Sequence, residues 1–236
     1  MSADRRKALV TGSSSGIGRA IASRLLAEGF AVVGVSRRAG DLGGDRFSHE
    51  AVDLAEIETL PEVLKRLARR HTDCEVIVLC AGQGMFGSLE EFSYVQIRHL
   101  MDLNFASQAF LVKAFLPAMK RRRQGQVIFV GSEAAHVGAA RGTIYCASKF
   151  ALRGFSQALR QEASGSGIRI SFISPGMTRT PFYDELSFEP GADAENALEA
   201  NDVAEAVALV VRSRAESVFD EIRLSPLKRV VRRRSS

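Results

Sequence analysis

Short apolar runs rich in β-branched residues alternate along the chain with longer stretches in which apolar positions recur every three or four residues. The short runs predict strands near 7–11, 31–36, 47–52, 75–80, 125–131, 168–174 and 218–224. The longer stretches predict helices near 16–28, 56–69, 93–122, 143–164 and 201–212, with Gly29, Gly125 and Gly165 just past helix ends. Such alternation builds an α/β fold: a doubly wound parallel sheet of about seven strands with helices on both faces. One crossover is too short for a covering helix, since RRAGDLGGDR (Arg37–Arg46) alone separates the second and third strands. Segment 181–200 breaks the alternation with two prolines and three aromatics and reads as a loop or short helices over a pocket. No repeat or linker divides the chain, so one domain is expected over 1–227, followed by a basic tail, 228–236.

With 46% hydrophobic and 25% charged residues, the 236-residue chain can bury a sizeable core, which excludes disorder throughout. Its formal charge of +5 equals the five bases Lys228, Arg229, Arg232, Arg233 and Arg234. The remainder therefore shows no charge excess that would mark a nucleic-acid binder. The tail itself reads as a solvated end, with a contact to acidic lipid, nucleic acid or a partner as the alternative. Cys74, Cys80 and Cys146 form no CxxC pair and are odd in number, as expected of a reducing compartment, the cytoplasm by default. No apolar run reaches the length of a membrane span, the N-terminal apolar stretch is too short for a signal peptide, and no metal site is expected.

TGSSSGIG (Thr11–Gly18) stands directly between a predicted strand and a predicted helix. Glycines there let the backbone approach a pyrophosphate, while the helix N-terminus offers unpaired N–H groups and a positive dipole end. Gly12, Ser14, Ser15, Gly16, Ile17 and Gly18 are therefore candidate cofactor contacts, and the absence of a lysine favours a dinucleotide over ATP. After the second strand, VVGVSRR places Ser36 where an acid would bond the ribose hydroxyl of NAD, followed by Arg37 and Arg38. Guanidinium groups bind a 2′-phosphate that a carboxylate would repel, so NADP(H) is expected; the alternative is two solvated loop arginines.

Tyr145 and Lys149, in YCASK, lie one helical turn apart on one face. Ser132 ends the run GQVIFVGS thirteen residues upstream, and Asn104 lies in the helical stretch before that run. With TGSSSGIG, Ala81–Gly82 and PGMTRT, in this order and spacing, the chain resembles the compact single-domain branch of the short-chain dehydrogenase/reductase family over about residues 5–215. The resemblance implies a Rossmann-type sheet and nicotinamide-dependent hydride transfer between a carbonyl and an alcohol. It implies Tyr145 as general acid and base, Lys149 lowering the phenol pKa and bonding the nicotinamide ribose, Ser132 donating to the substrate oxygen, and Asn104 holding a water beside Lys149. It further implies that Asp53, with Leu54 beside it, meets the adenine, Asp53 alternatively being a capping carboxylate. Pro175, Gly176, Thr178 and Thr180 would grip the nicotinamide carboxamide.

Two departures stand out. Cys80 replaces the asparagine of the usual NAG motif, which puts local rigidity in question, and the C-terminus lacks the family's Asp-Gly-Gly pattern. A homodimer or homotetramer through helices near 93–122 and 143–164 is the family expectation. Phe182, with Tyr183, Phe188 and Met85–Phe86, would line an apolar substrate pocket beside Ser132 and Tyr145, or else pack the lid onto the body. Glu133 and His136 near that pocket could favour a polar substrate or be solvated. Two functional readings follow: a carbonyl reductase or alcohol dehydrogenase, and a dinucleotide-binding regulator without turnover.

Overall fold

The computed structural model describes residues 6–234. Its elements in chain order begin β1 (Lys7–Thr11), α1 (Gly16–Ala27), β2 (Ala31–Ser36), β3 (Phe47–Ala51), α2 (Leu60–Arg70), β4 (Val76–Leu79), α3 (Tyr94–Met101), α4 (Ser107–Arg122) and β5 (Gly125–Val130). They continue α5 (Thr143–Ala163), β6 (Ile168–Pro175), β7 (Thr178–Arg179), β8 (Phe188–Pro190), β9 (Leu198–Glu199), α6 (Ala200–Arg212), β10 (Glu221–Leu224) and β11 (Val231–Arg233). Seven strands form one parallel sheet in the order β10-β6-β5-β4-β1-β2-β3. The doubly wound Rossmann-type architecture expected from the sequence is present, and no helix covers the β2–β3 crossover.

Strand side chains alternate between two apolar layers, as a strand's twofold period requires. Leu9, Ile77, Leu79, Val127 and Phe129 pack with α2, α4 and α5 on one face. Ala8, Val10, Val76, Val78, Ile128 and Val130 pack with α1 and α6 on the other. Phe115, Phe129 and Phe172 are fully buried, and truncating such a ring costs about 3–5 kcal/mol. The outermost strands carry tethered acids: Glu50 on β3 pairs with Arg70 and also meets His71, and Glu221 on β10 pairs with Arg153 and also meets His136.

Several expectations are corrected. The predicted helix 93–122 is broken by a π-helical stretch, Asp102–Ala106, that separates α3 from α4. α4 ends at Arg122 as expected, and its C-cap is Arg123, which takes the left-handed conformation (φ 54°) while Arg123 and Gln124 N–H groups close onto Lys120 and Met119 carbonyls. Gly125 opens β5, as the predicted strand near 125–131 has it, and a Cβ there would lie 2.8 Å from the Met119 sulfur. After α5 the left-handed residue is Gly167 rather than Gly165. The basic tail is solvent-exposed, as expected of a solvated end, but it is not free: β11 pairs antiparallel with β8 in the segment that follows β7, and Lys228, Arg232 and Arg234 meet acids of that segment. Residues 235 and 236 of that tail lie outside the described residues. No helix among the described residues is long and apolar enough to cross a membrane.

Candidate active site

The site opens at the carboxyl ends of β1, β4 and β5, where the sheet order reverses between β1 and β4. Gly12 and Gly16 take positive φ (70° and 52°), and a Cβ on Gly18 would stand 2.3 Å from the Gly12 carbonyl oxygen, so the turn closes only around glycine. Ser15 caps α1 in an extended conformation without a side-chain bond, and the first turn holds no acid. Gly16 at the start of α1 lines a cleft of about 240 Å³ together with Arg19 and Thr180. A hypothetical Cβ on Gly16 would be 3.3 Å from Thr180, so the PGMTRT turn lies directly across the phosphate loop. This glycine cradle at an uncapped helix start fits a dinucleotide pyrophosphate.

At the adenosine end, the Ser36 hydroxyl donates to the Arg38 carbonyl (2.8 Å) and pairs with His49 (3.1 Å), bracing the loop that presents two exposed arginines. Arg37 and Arg38 make no side-chain ion pair among the described residues. Arg19, which the sequence reading did not single out, grips Asp41 through two bonds of 2.5 and 2.6 Å at the same edge. Asp53 accepts the Ala55 N–H (2.9 Å) within a turn and does not cap α2, whose N-cap is Thr59, and Leu54 is buried in the core.

Beyond β4, the missing asparagine at Cys80 is compensated. The Thr11 hydroxyl accepts both the Cys80 and Ala81 N–H groups (2.9 and 3.0 Å), while Gln108 donates to the Ala81 carbonyl (2.9 Å). Burial pushes the Cys80 and Cys74 thiols up to about 12, which disfavours the thiolate form of both. Asn104 lies in the π-helical stretch, fully buried. Its amide donates to the Gln83 carbonyl (3.0 Å) and to Ser148 Oγ (3.1 Å), and its Oδ1 accepts the Gln83 N–H (2.9 Å). Ser148 in turn donates to the Tyr145 carbonyl (2.7 Å), so Asn104 ties the 82–84 turn to the first turn of α5.

Tyr145 and Lys149 are both buried, with Lys149 Nζ 5.7 Å from the phenol ring centroid. A Cβ on Gly82 would lie 3.6 Å from that Nζ and 3.0 Å from Asn104 Oδ1, which places lysine, asparagine and the β4 turn around one point. Ser132, extended just past β5, accepts the Ala134 N–H (3.1 Å), and its hydroxyl acts on the Tyr145 phenol in the direction of a lower pKa. Desolvation raises the phenol well above its ordinary pKa, outweighing the opposing effect of Ser132. Desolvation also brings Lys149 down to about 8.

Aromatic rings enclose the phenol. Phe86 and Phe182 centroids lie 5.0 and 6.0 Å from the Tyr145 ring, and Phe188 lies 4.9 Å from Phe86 and 5.9 Å from Tyr183. Thr178 is buried with its hydroxyl on the Gly176 carbonyl (3.0 Å), and Thr180 Oγ1 accepts the Phe182 N–H (3.4 Å). The nicotinamide-side turn and the aromatic lid are therefore continuous. Arg179 bonds the carbonyls of Gly191 and Asp193, holding the lid's far end.

The family model for short chain dehydrogenase matches residues 6–190. The chain belongs to that family. A 3-oxoacyl-acyl-carrier-protein reductase of Buchnera aphidicola is 30% identical to it over 194 residues, 79% of each chain. Human retinol dehydrogenase 8 is 33% identical over 214 residues, 83% of this chain and 68% of that protein. Among solved structures, an alcohol dehydrogenase from the archaeon Thermococcus sibiricus complexed with 5-hydroxy-NADP superposes with a TM-score of 0.82 at 26% identity, covering 96% of this chain and 99% of that one. As a short-chain dehydrogenase, the chain is an oxidoreductase of alcohol and carbonyl groups that uses a nicotinamide cofactor and small-molecule substrates.

The fold gathers all four candidate catalytic residues of this short-chain dehydrogenase, and the turn at 175–180 joins them. Gln108, Ser148 and Arg19 escaped the sequence reading. Gln108 follows Asn104 by four residues and Ser148 lies inside YCASK, so helical spacing was the available signal for both.

Proposed function

We propose that this chain is an NADP(H)-dependent oxidoreductase that interconverts an apolar carbonyl compound and its secondary alcohol, with Tyr145 as general acid in reduction and general base in oxidation. The observation that carries this reading is the meeting of buried Tyr145, Lys149 and Ser132 beside the Gly82 turn and the glycine cradle. When bound, the nicotinamide supplies or takes up the hydride.

Ser132 donates its hydroxyl proton in a hydrogen bond to the substrate oxygen, orienting it and stabilising negative charge as it develops. Tyr145, kept neutral by burial, delivers its proton to that oxygen. Lys149 stays largely protonated at neutral pH, and its charge stabilises the phenolate left behind. Asn104 fixes the relative position of the tyrosine turn and the Gly82 turn through Ser148 and Gln83. In oxidation the same groups act in reverse.

Arg37 and Arg38, exposed beside a serine rather than an acid, support a 2′-phosphate, as does the NADP derivative in the archaeal relative. Phe86, Phe182 and Phe188 around the phenol support an apolar group on the carbonyl, in keeping with the retinol dehydrogenase relative. Exposed Tyr94, Val95 and Phe150 on α3 and α5 support a homodimer through these helices.

The deciding experiment follows NADPH and NADH consumption over a panel of alkyl and aryl ketones, aldehydes and quinones, with Tyr145→Phe as control. Turnover with NADPH that falls at least about a thousandfold in the variant is expected. NADPH binding without turnover of any carbonyl would point to the regulator reading instead.

A further inference from the structure

We propose that residues 228–234 form a positioning strap for the substrate lid: they hold Phe188 in the aromatic box over Tyr145, so that Arg232 and Arg234 govern substrate selection through a residue they do not touch. The inference rests on the reading of Tyr145 as the reacting phenol.

Charge pattern is the first ground. Segment 181–200 carries six acids (Asp184, Glu185, Glu189, Asp193, Glu195, Glu199) and no base, while 228–234 carries five bases and no acid. The fold brings the two together. Lys228 meets Glu195 (2.5 Å), and Arg232 and Arg234 both clasp Glu189, with Nε distances of 2.9 Å each. Arg229 pairs with Glu133, the residue after Ser132, so the strap also reaches the wall of the site.

Backbone geometry is the second ground. Gly191 N–H donates to the Val230 carbonyl, Arg234 N–H to Ser187, and Lys228 N–H to Glu195, each at 2.9 Å, so strap and lid share a ladder. Successive side chains of a strand point to opposite faces. On β8, Glu189 faces the strap arginines while Phe188 faces Phe86 and Tyr183. Pulling on the carboxylate therefore sets the ring. An exposed ion pair alone adds little to stability, but two arginines on one carboxylate, supported by a backbone ladder, define where a three-residue strand lies.

The test compares amide hydrogen exchange of the full chain, Glu189→Gln, and a deletion of 228–236. Exchange over 186–191 is expected to accelerate about tenfold or more in the deletion and severalfold in Glu189→Gln, with α5 unchanged. Wild-type rates over 186–191 in Glu189→Gln would overturn the proposal even if the deletion fails to fold. A second readout uses an aryl ketone against a small alkyl ketone. Arg232→Ala should raise KM for the aryl substrate about tenfold, with kcat within about twofold and Arg232→Lys restoring KM; a fall in kcat at unchanged KM would count against positioning. If the wild type reduces no carbonyl at all, the functional reading fails while the exchange rates still decide whether the strap holds the lid.

Discussion

Lys149 is buried against Tyr145 and Gly82 with no carboxylate partner among the described residues, and desolvation, only partly opposed by Cys80, brings it from its ordinary 10.5 to about 8. Between those values the unfolded chain binds more protons than the folded one, so stability rises with pH across this window as the buried charge is discharged. Below about pH 8 the folded protein bears the full cost of the buried ammonium. Lys149→Met is therefore expected to melt at higher temperature than the parent at pH 7, with the difference shrinking toward pH 9.5; scanning calorimetry without cofactor checks it. Tyr145 titrates too high to interfere below pH 10. At the other end of the cleft, Arg37→Asp places a carboxylate where a 2′-phosphate is proposed to lie. It should weaken NADPH binding at least about tenfold while leaving NADH within about threefold, by fluorescence titration. Equal losses would show that Arg37 does not read the phosphate.

Helix ends show where local pattern and packing part company. Glycine is the usual left-handed terminator, yet α4 closes on Arg123, which takes the strained position, while Gly125, packed on Met119, opens β5. Arg123→Gly should stabilise the protein by about 0.5–1 kcal/mol, the relief of left-handed strain less the added freedom of the unfolded chain, read by urea unfolding. The π-helical stretch at Asp102–Ala106 is equally hidden, because one displaced hydrogen-bond register barely alters apolar periodicity. That stretch holds Asn104, so the residue was legible as a candidate while its bonding to Gln83 and Ser148 was not. Tyr145, Lys149 and Ser132 were legible because their spacing on one helix face and at a strand end survives in the sequence itself.

Across the whole molecule, the parallel sheet was readable since each strand and helix announces itself locally and the handedness of β-α-β units leaves few arrangements. The pairing of β8 with β11 was not, because three-residue strands have no periodicity and their partner lies about forty residues away. The cleft follows from strand order, which separates the helices after β1 and β4 and leaves room between them for a ligand. The outer strands carry a different consequence. An open sheet ends in unpaired backbone that can template growth by further chains. On β3 and β10 the acids Glu50 and Glu221, each held by a histidine and an arginine, put ionic groups along those rims and keep a stacking copy from finding a flat apolar strand. The same side chains that tie the edges to α2 and α5 thus act as gatekeepers against aggregation at high protein concentration.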